Sequence, residues 1–216
     1  MGCGEPTAQA EKKIPATKSI TPKSEKVESP KNKEKIIVFF GNSLSAGYGL
    51  DPSQGFVGLF EKRIDSLEYD YKVINAGLSG ETTAGGNNRV DWILDRQKVD
   101  IFVLELGGND MLRGVDFEQS YENLQSIITK VKTKYPSAKI VLAGMLAPPN
   151  LGNQYTTGFK EMYPQLAKIN DTKLIPFLLD GVAGDATLNL PDGIHPNVEG
   201  HQIVLENIWS ILQPLL

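Results

Sequence analysis

Residues 35–50 read KIIVFFGNSLSAGYGL. An apolar run stops at Gly41, and the polar pair Asn42-Ser43 follows at once. A short apolar run closed by a glycine suits a strand buried on both faces, as strands in parallel sheets are. The pattern recurs. "YKVINAG" (71–77), "DIFVLELGG" (100–108), "AKIVLAGM" (138–145) and "KLIPFLL" (173–179) read as four more strands. Helical spacing fills the gaps between them. Residues 55–67 put Phe56, Phe60, Ile64 and Leu67 on one face, and 83–97 turn Val90, Ile93 and Leu94 inward. Residues 118–135 carry Tyr121, Leu124, Ile128, Val131 and Tyr135 at steps of three and four, and Pro136 stops that helix. Residues 156–170 read as helix despite Pro164, and 196–213 align Val198, Leu205, Ile208 and Leu212. Strand and helix in alternation predict an α/β domain, a parallel sheet of about five strands with helices on both faces.

The chain has 216 residues, a net charge of -4 and a single cysteine, Cys3. The balance implies no large basic surface, which argues against a nucleic-acid partner. One cysteine allows no intrachain disulfide, and no apolar run approaches the roughly 18 residues of a membrane span. Charge is uneven along the chain. Residues 1–34 hold seven lysines and five glutamates, and residues 5–34 hold four prolines and no aromatic residue. Such a stretch buries too little apolar surface to offset its ordering entropy, so 1–34 is expected to be a disordered polar tether and 35–216 the folded domain. "MGCGEP" at its head resembles a bacterial lipoprotein with a start methionine in place of its signal peptide, and lipidation is expected at Cys3. A free thiol is the competing reading. N-myristoylation wants Ser or Thr at position 6, where Pro6 stands. Anchoring through Cys3 would make this a periplasmic or cell-envelope lipoprotein; the alternative is a soluble cytoplasmic protein.

In an α/β sheet of this kind, ligands sit outside the carboxyl ends of the strands. The residues found there are Asn42-Ser43, then "NAGLSGETTAGG" (75–86), "GGND" (107–110) and "LAPPNLG" (146–152). "DGIHPN" (192–197) precedes the last helix. Acyl transfer needs a hydroxyl, a base held in one tautomer, and donors for an oxyanion. There are two histidines. His195 lies three residues after Asp192, while His201 falls inside a helix and reads as structural. Taken alone, D-x-x-H is a turn, and Ser43 or Ser45 is a helix cap. "GLSGETTAGG" lacks the Lys-Ser/Thr of a phosphate loop, and Ser45 replaces the last glycine of G-x-S-x-G.

Together these blocks resemble the SGNH (GDSL-type) hydrolase superfamily, and within it the bacterial multifunctional thioesterase/lysophospholipase/arylesterase subgroup. The resemblance runs from Ile36 to Leu216. "FFGNSLSAGYGL" matches the G-D-S-L block, "NAGLSGETTAGG" the second, glycine-based block, "GGNDMLRG" the G-x-N-D block and "DGIHPN" the D-x-x-H block. It implies a flavodoxin-like three-layer α/β/α sandwich and no metal or organic cofactor. By the resemblance, Ser43 is the nucleophile, His195 the base and Asp192 its orienting acid. The oxyanion donors would be the N–H groups of Ser43 and Gly77 and the amide of Asn109. Pro148, Pro149 and Asn150 match a loop along the subgroup's acyl groove. Ser45, Glu105 and Asp110 read as structural, and Arg113 either as a contact for an acidic leaving group or as solvated surface. The implied activity is hydrolysis of small-molecule or lipid acyl esters or thioesters by a serine esterase. The alternatives are a cell-envelope carbohydrate O-acetylesterase and a non-catalytic binding lipoprotein. One position departs from the family: Asn42 stands where Asp is usual. The shapes are alike, but an acceptor oxygen becomes a donor.

Overall fold

The computed structural model describes residues 1–4 and 35–216. The tether expected over 5–34 lies outside the described residues, and Cys3 is exposed. Five strands form one sheet: β1 (Lys35–Gly41), β2 (Tyr71–Gly77), β3 (Ile101–Glu105), β4 (Lys139–Ala143) and β5 (Lys173–Ile175). All pairings are parallel, in the order β2-β1-β3-β4-β5. This is the flavodoxin-like order, whose switch point lies between β1 and β3. Register across that point sets Gly41 beside Glu105 and, on the other side, beside Gly77.

Alternation along β1 feeds both faces. Phe39 meets the rings of Phe56 and Phe60 in α2 (Phe56–Ser66), at 5.9 and 5.2 Å. Phe40 stacks on Phe102 at 5.5 Å. Each is fully buried; such burial contributes about 2–3 kcal/mol per ring. α2 packs with α7 (Val198–Leu212). α3 (Thr83–Leu94) and α6 (Asn153–Asn170) both pack on α5 (Phe117–Lys134), which completes the three layers. Pro164 sits on the exposed side of α6, so the helix runs through it.

The structure corrects several sequence expectations. The third, fourth and fifth strands are shorter than expected, ending at Glu105, Ala143 and Ile175. Leu67 follows the end of α2 and is exposed, and Val198 is only half-buried. Two short helices were not legible: α1 (Ser43–Ala46) and α4 (Gly108–Leu112), both directly after strands at the carboxyl edge.

Candidate active site

α1 carries Ser43 at its first position, and two neighbours hold the turn around it. Asn42 caps the helix: its Oδ1 accepts from the Leu44 N–H at 2.9 Å and lies 3.4 Å from the Ser43 hydroxyl oxygen. Beneath the turn lies Glu105, from the end of β3. Its Oε2 accepts from the N–H of Asn42 (3.1 Å), the N–H of Ser45 (3.3 Å) and the Ser45 hydroxyl (2.8 Å). The N–H groups on either side of Ser43 are thus engaged, while the Ser43 N–H makes no hydrogen bond among the described residues. Glu105 is buried, and burial pushes its pKa up to about 7 against the opposing pull of Ser45 and Asn42. Its other oxygen, Oε1, has no hydrogen-bond partner among the described residues. Gly41 makes room for it. A Cβ there would stand 2.2 Å from the Ser45 hydroxyl and 2.4 Å from Glu105 Oε2.

His195 and Asp192 arrive on the loop before α7. Asp192 accepts from the N–H of Ile194 (3.0 Å) and of His195 (3.1 Å) on Oδ1. Its Oδ2 lies 2.8 Å from His195 Nδ1. The Ile194 N–H and then the imidazole hold the Asp192 carboxyl below the usual range. His195 Nε2 lies 2.9 Å from Ser43 Oγ. With Nδ1–H donating to Asp192, Nε2 is free to accept the Ser43 proton, a tautomer assigned from these partners. The Tyr48 ring lies 4.5 Å from the imidazole and shields one face of it. Pairing of Asn189 with Pro196 and a 2.7 Å bond from the Leu190 N–H to the His195 carbonyl close the loop.

The second and third blocks meet through Asn109 and Asp110. Asn109 donates one amide hydrogen to the Glu81 carbonyl at 2.9 Å and lines the same cavity as Ser43 and His195. Asp110 accepts from the N–H (2.9 Å) and hydroxyl (2.6 Å) of Thr83, which ties α4 to α3 and bears out a structural reading. Arg113 donates to the Gly80 carbonyl at 3.0 Å.

Gly77 is a correction. Its N–H donates to Asn75 Oδ1 at 3.0 Å and is not available to an oxyanion. Its role is close approach, since a Cβ would fall 2.4 Å from the Ala46 nitrogen. Gly80 differs: it holds φ +81°, its N–H makes no hydrogen bond among the described residues, and it adjoins the Glu81 carbonyl that orients Asn109. A glycine after Ser, before Glu-Thr, was in the quoted block all along; its positive φ was not legible.

A cavity of about 490 Å³ opens beside Ser43. Met111, Leu112, Met145, Leu146, Phe177 and Leu179 give it an apolar wall, and Pro148 and Pro149 also line it. Asn150 does not line it; the single 3₁₀ turn at Pro149–Leu151 carries it past the wall. The other histidine, His201, is buried in α7, accepts from the Phe56 N–H at 3.2 Å on Nδ1, and has its pKa lowered to about 4, chiefly by burial. It serves the fold. Among the described residues no three His, Cys, Asp or Glu side chains cluster as a metal site would require.

Residues 39–203 match the GDSL-like lipase/acylhydrolase family. The chain is similar to Esterase TesA of Pseudomonas aeruginosa, 43% identical over 84% of this chain and 90% of that protein. It is similar to thioesterase 1/protease 1/lysophospholipase L1 of Escherichia coli K12, 33% identical over 83% of this chain and 84% of that one. Its fold superposes on a crystal structure of TesA with a TM-score of 0.80 at 42% identity, covering 84% of this chain and 100% of the other.

Proposed function

The chain belongs to the GDSL-like lipase/acylhydrolase family and is an ester hydrolase; we propose that it works through an acyl-enzyme on Ser43. The observation that carries this reading is the relay from Ser43 Oγ to His195 Nε2 at 2.9 Å and from Nδ1 to Asp192 at 2.8 Å. Ser43 Oγ attacks the ester carbonyl while His195 Nε2 takes its proton. Asp192 keeps the imidazole in that tautomer and stabilises the imidazolium. The tetrahedral intermediate collapses as His195 returns the proton to the leaving oxygen or sulfur, and water repeats the cycle on the acyl-enzyme.

The oxyanion falls to three donors: the Ser43 N–H, the second amide hydrogen of Asn109, and the N–H of Gly80 in place of Gly77. Such donors lower the barrier because they are in position before charge develops. Glu105 is a positioning residue here, holding the N–H groups around Ser43 so that its own stays free.

The apolar cavity favours acyl chains longer than acetyl, as esters or thioesters, over O-acetylated carbohydrate. A relay with all three members in hydrogen-bond reach supports catalysis over a binding-only role. Hydrolysis of p-nitrophenyl esters of increasing chain length, beside Ser43→Ala, is the test. Turnover should rise beyond acetate, and Ser43→Ala should lower kcat by roughly 10³-fold or more. Serine-independent turnover would overturn the mechanism. We further propose that Cys3, exposed at the head of the chain, is acylated and tethers the domain to a membrane of the cell envelope. Incorporation of a clickable fatty acid that Cys3→Ser abolishes would support this; cytosolic protein without label would sink it.

A further inference from the structure

Nine large apolar side chains of the folded part are exposed, and six of them lie at the carboxyl edge of the sheet. Scattered single apolar residues are ordinary; a contiguous set marks a surface used for contact. The six come from the loops after five different strands. Tyr48 stands over His195, and Leu112, Leu146 and Ile194 line the mouth of the Ser43 cavity. Leu78 precedes Gly80, which Arg113 holds, and stands between this edge and a separate hollow that it lines with Trp92; Leu151 ends the 3₁₀ turn that begins at the cavity wall. The remaining three, Leu67, Trp92 and Ile169, are far apart in sequence and belong to the outer helices, and Trp92 is covered by the Arg96 guanidinium at 3.7 Å.

The acids nearest the reacting groups are occupied, while Asp51, Asp180 and Asp185 stand exposed farther out in the loops after β1 and β5. Glu81 is paired with Arg89, Asp110 is buried on Thr83, and Asp192 holds His195. Among the described residues Arg113 makes no ion pair. It is exposed, next to Leu112 and bonded to the carbonyl two residues after Leu78. The mouth of the apolar acyl cavity is therefore flanked by exposed apolar side chains, with one cation beside them that makes no ion pair among the described residues.

We propose that this edge docks on the surface of a phospholipid assembly, with the rim side chains in the acyl region and Arg113 at a headgroup phosphate. The inference rests on the acyl-hydrolase reading, since the substrate's own chain would pass from the assembly into the cavity without crossing water. Partial immersion of apolar side chains with a cation at headgroup level is how interfacial segments hold to lipid.

The test uses the full chain carrying Cys3→Ser, so that no acyl anchor holds it, with phosphatidylcholine vesicles. Co-sedimentation is measured beside turnover of a long-chain p-nitrophenyl ester carried in the vesicles and of p-nitrophenyl butyrate free in solution. Leu78→Ser/Leu151→Ser changes two rim residues that do not line the cavity. We expect the bound fraction and vesicle-phase turnover to fall at least about fivefold, with butyrate turnover within about twofold of the parent. Arg113→Gln should weaken binding further when vesicles contain phosphatidylglycerol. A parent chain that does not sediment with vesicles, or a double variant that binds equally, overturns the proposal. So does a dimer in solution that the double variant dissociates in the absence of vesicle binding, which would assign the rim to a second copy. Vesicle binding without butyrate hydrolysis would strike the hydrolase reading and leave the docking surface standing.

Discussion

The two halves of the reacting pair are built in opposite ways. Ser43 sits on a turn held from below by a buried carboxylate from another strand, far away in sequence. His195 sits on an exposed loop whose bonds to Asp192 span only four residues and whose closing bonds come from Asn189 and Leu190 close by in the chain. The first half is bound up with the core, so damage to it reaches stability. The second is a local device, so damage to it reaches chemistry alone. Rigidity on the nucleophile side fixes where the carbonyl must come, and a self-contained base loop can meet it without the core rearranging.

Asp192→Asn should separate the halves most sharply. The amide cannot hold the imidazole in the same tautomer, so kcat should fall roughly 10³- to 10⁴-fold. Because the loop is exposed, Tm should stay within about 2 °C of the parent. A Tm loss much larger than that would break the contrast. Next is Glu105→Ala. It strands the N–H groups of Asn42 and Ser45, and we expect about 3–5 kcal/mol of lost stability in urea unfolding. Any folded fraction should lose roughly 10²-fold in kcat, with KM little changed. A stable, slow enzyme would mean the turn holds itself.

Asn42→Asp should change kcat less than about tenfold near pH 6, because Asp caps α1 as well as Asn does. Glu105 titrates around 7 in the parent, carrying its proton below and its charge above. A second carboxylate beside it would raise that titration further. The loss should therefore be larger at pH 8.5 than at pH 6. In a Glu105→Gln background the pH difference should vanish; its persistence would place the effect elsewhere.

The smallest effect on rate belongs to His201. Its folded pKa, near 4, lies below the ordinary 6.5. The unfolded chain thus takes up the proton first. Stability is intact above about 6.5 and erodes as pH falls toward 4. His201→Gln should flatten that slope in acid unfolding while leaving kcat at neutral pH within about twofold.

The contrast also explains what the sequence disclosed. Asp192 and His195 stand out because their bonds are local, and spacing records local bonds. The strands were legible because burial on both faces demands apolar runs such as KIIVFF. Glu105 could be placed in a strand but not under Ser43, since only register across β1 and β3 brings them together. Gly77 was misassigned because two glycines share one block, and sequence does not say which amide Asn75 has already taken. Asn150 was placed with its proline neighbours, yet one 3₁₀ turn rotates it away from the cavity. The apolar rim was invisible for a related reason: five separate loops contribute to it.

Gly41 has a consequence for how such a chain can change over generations. Its missing Cβ and the carboxylate of Glu105 share one volume. A larger residue at 41 has no viable intermediate while Glu105 is long, and shortening Glu105 first leaves a void under the turn. The two positions must be exchanged together or not at all. The opening glycine of the nucleophile block is thus the imprint of a side chain on another strand. A redesign that swaps this block between scaffolds must carry the glutamate with it.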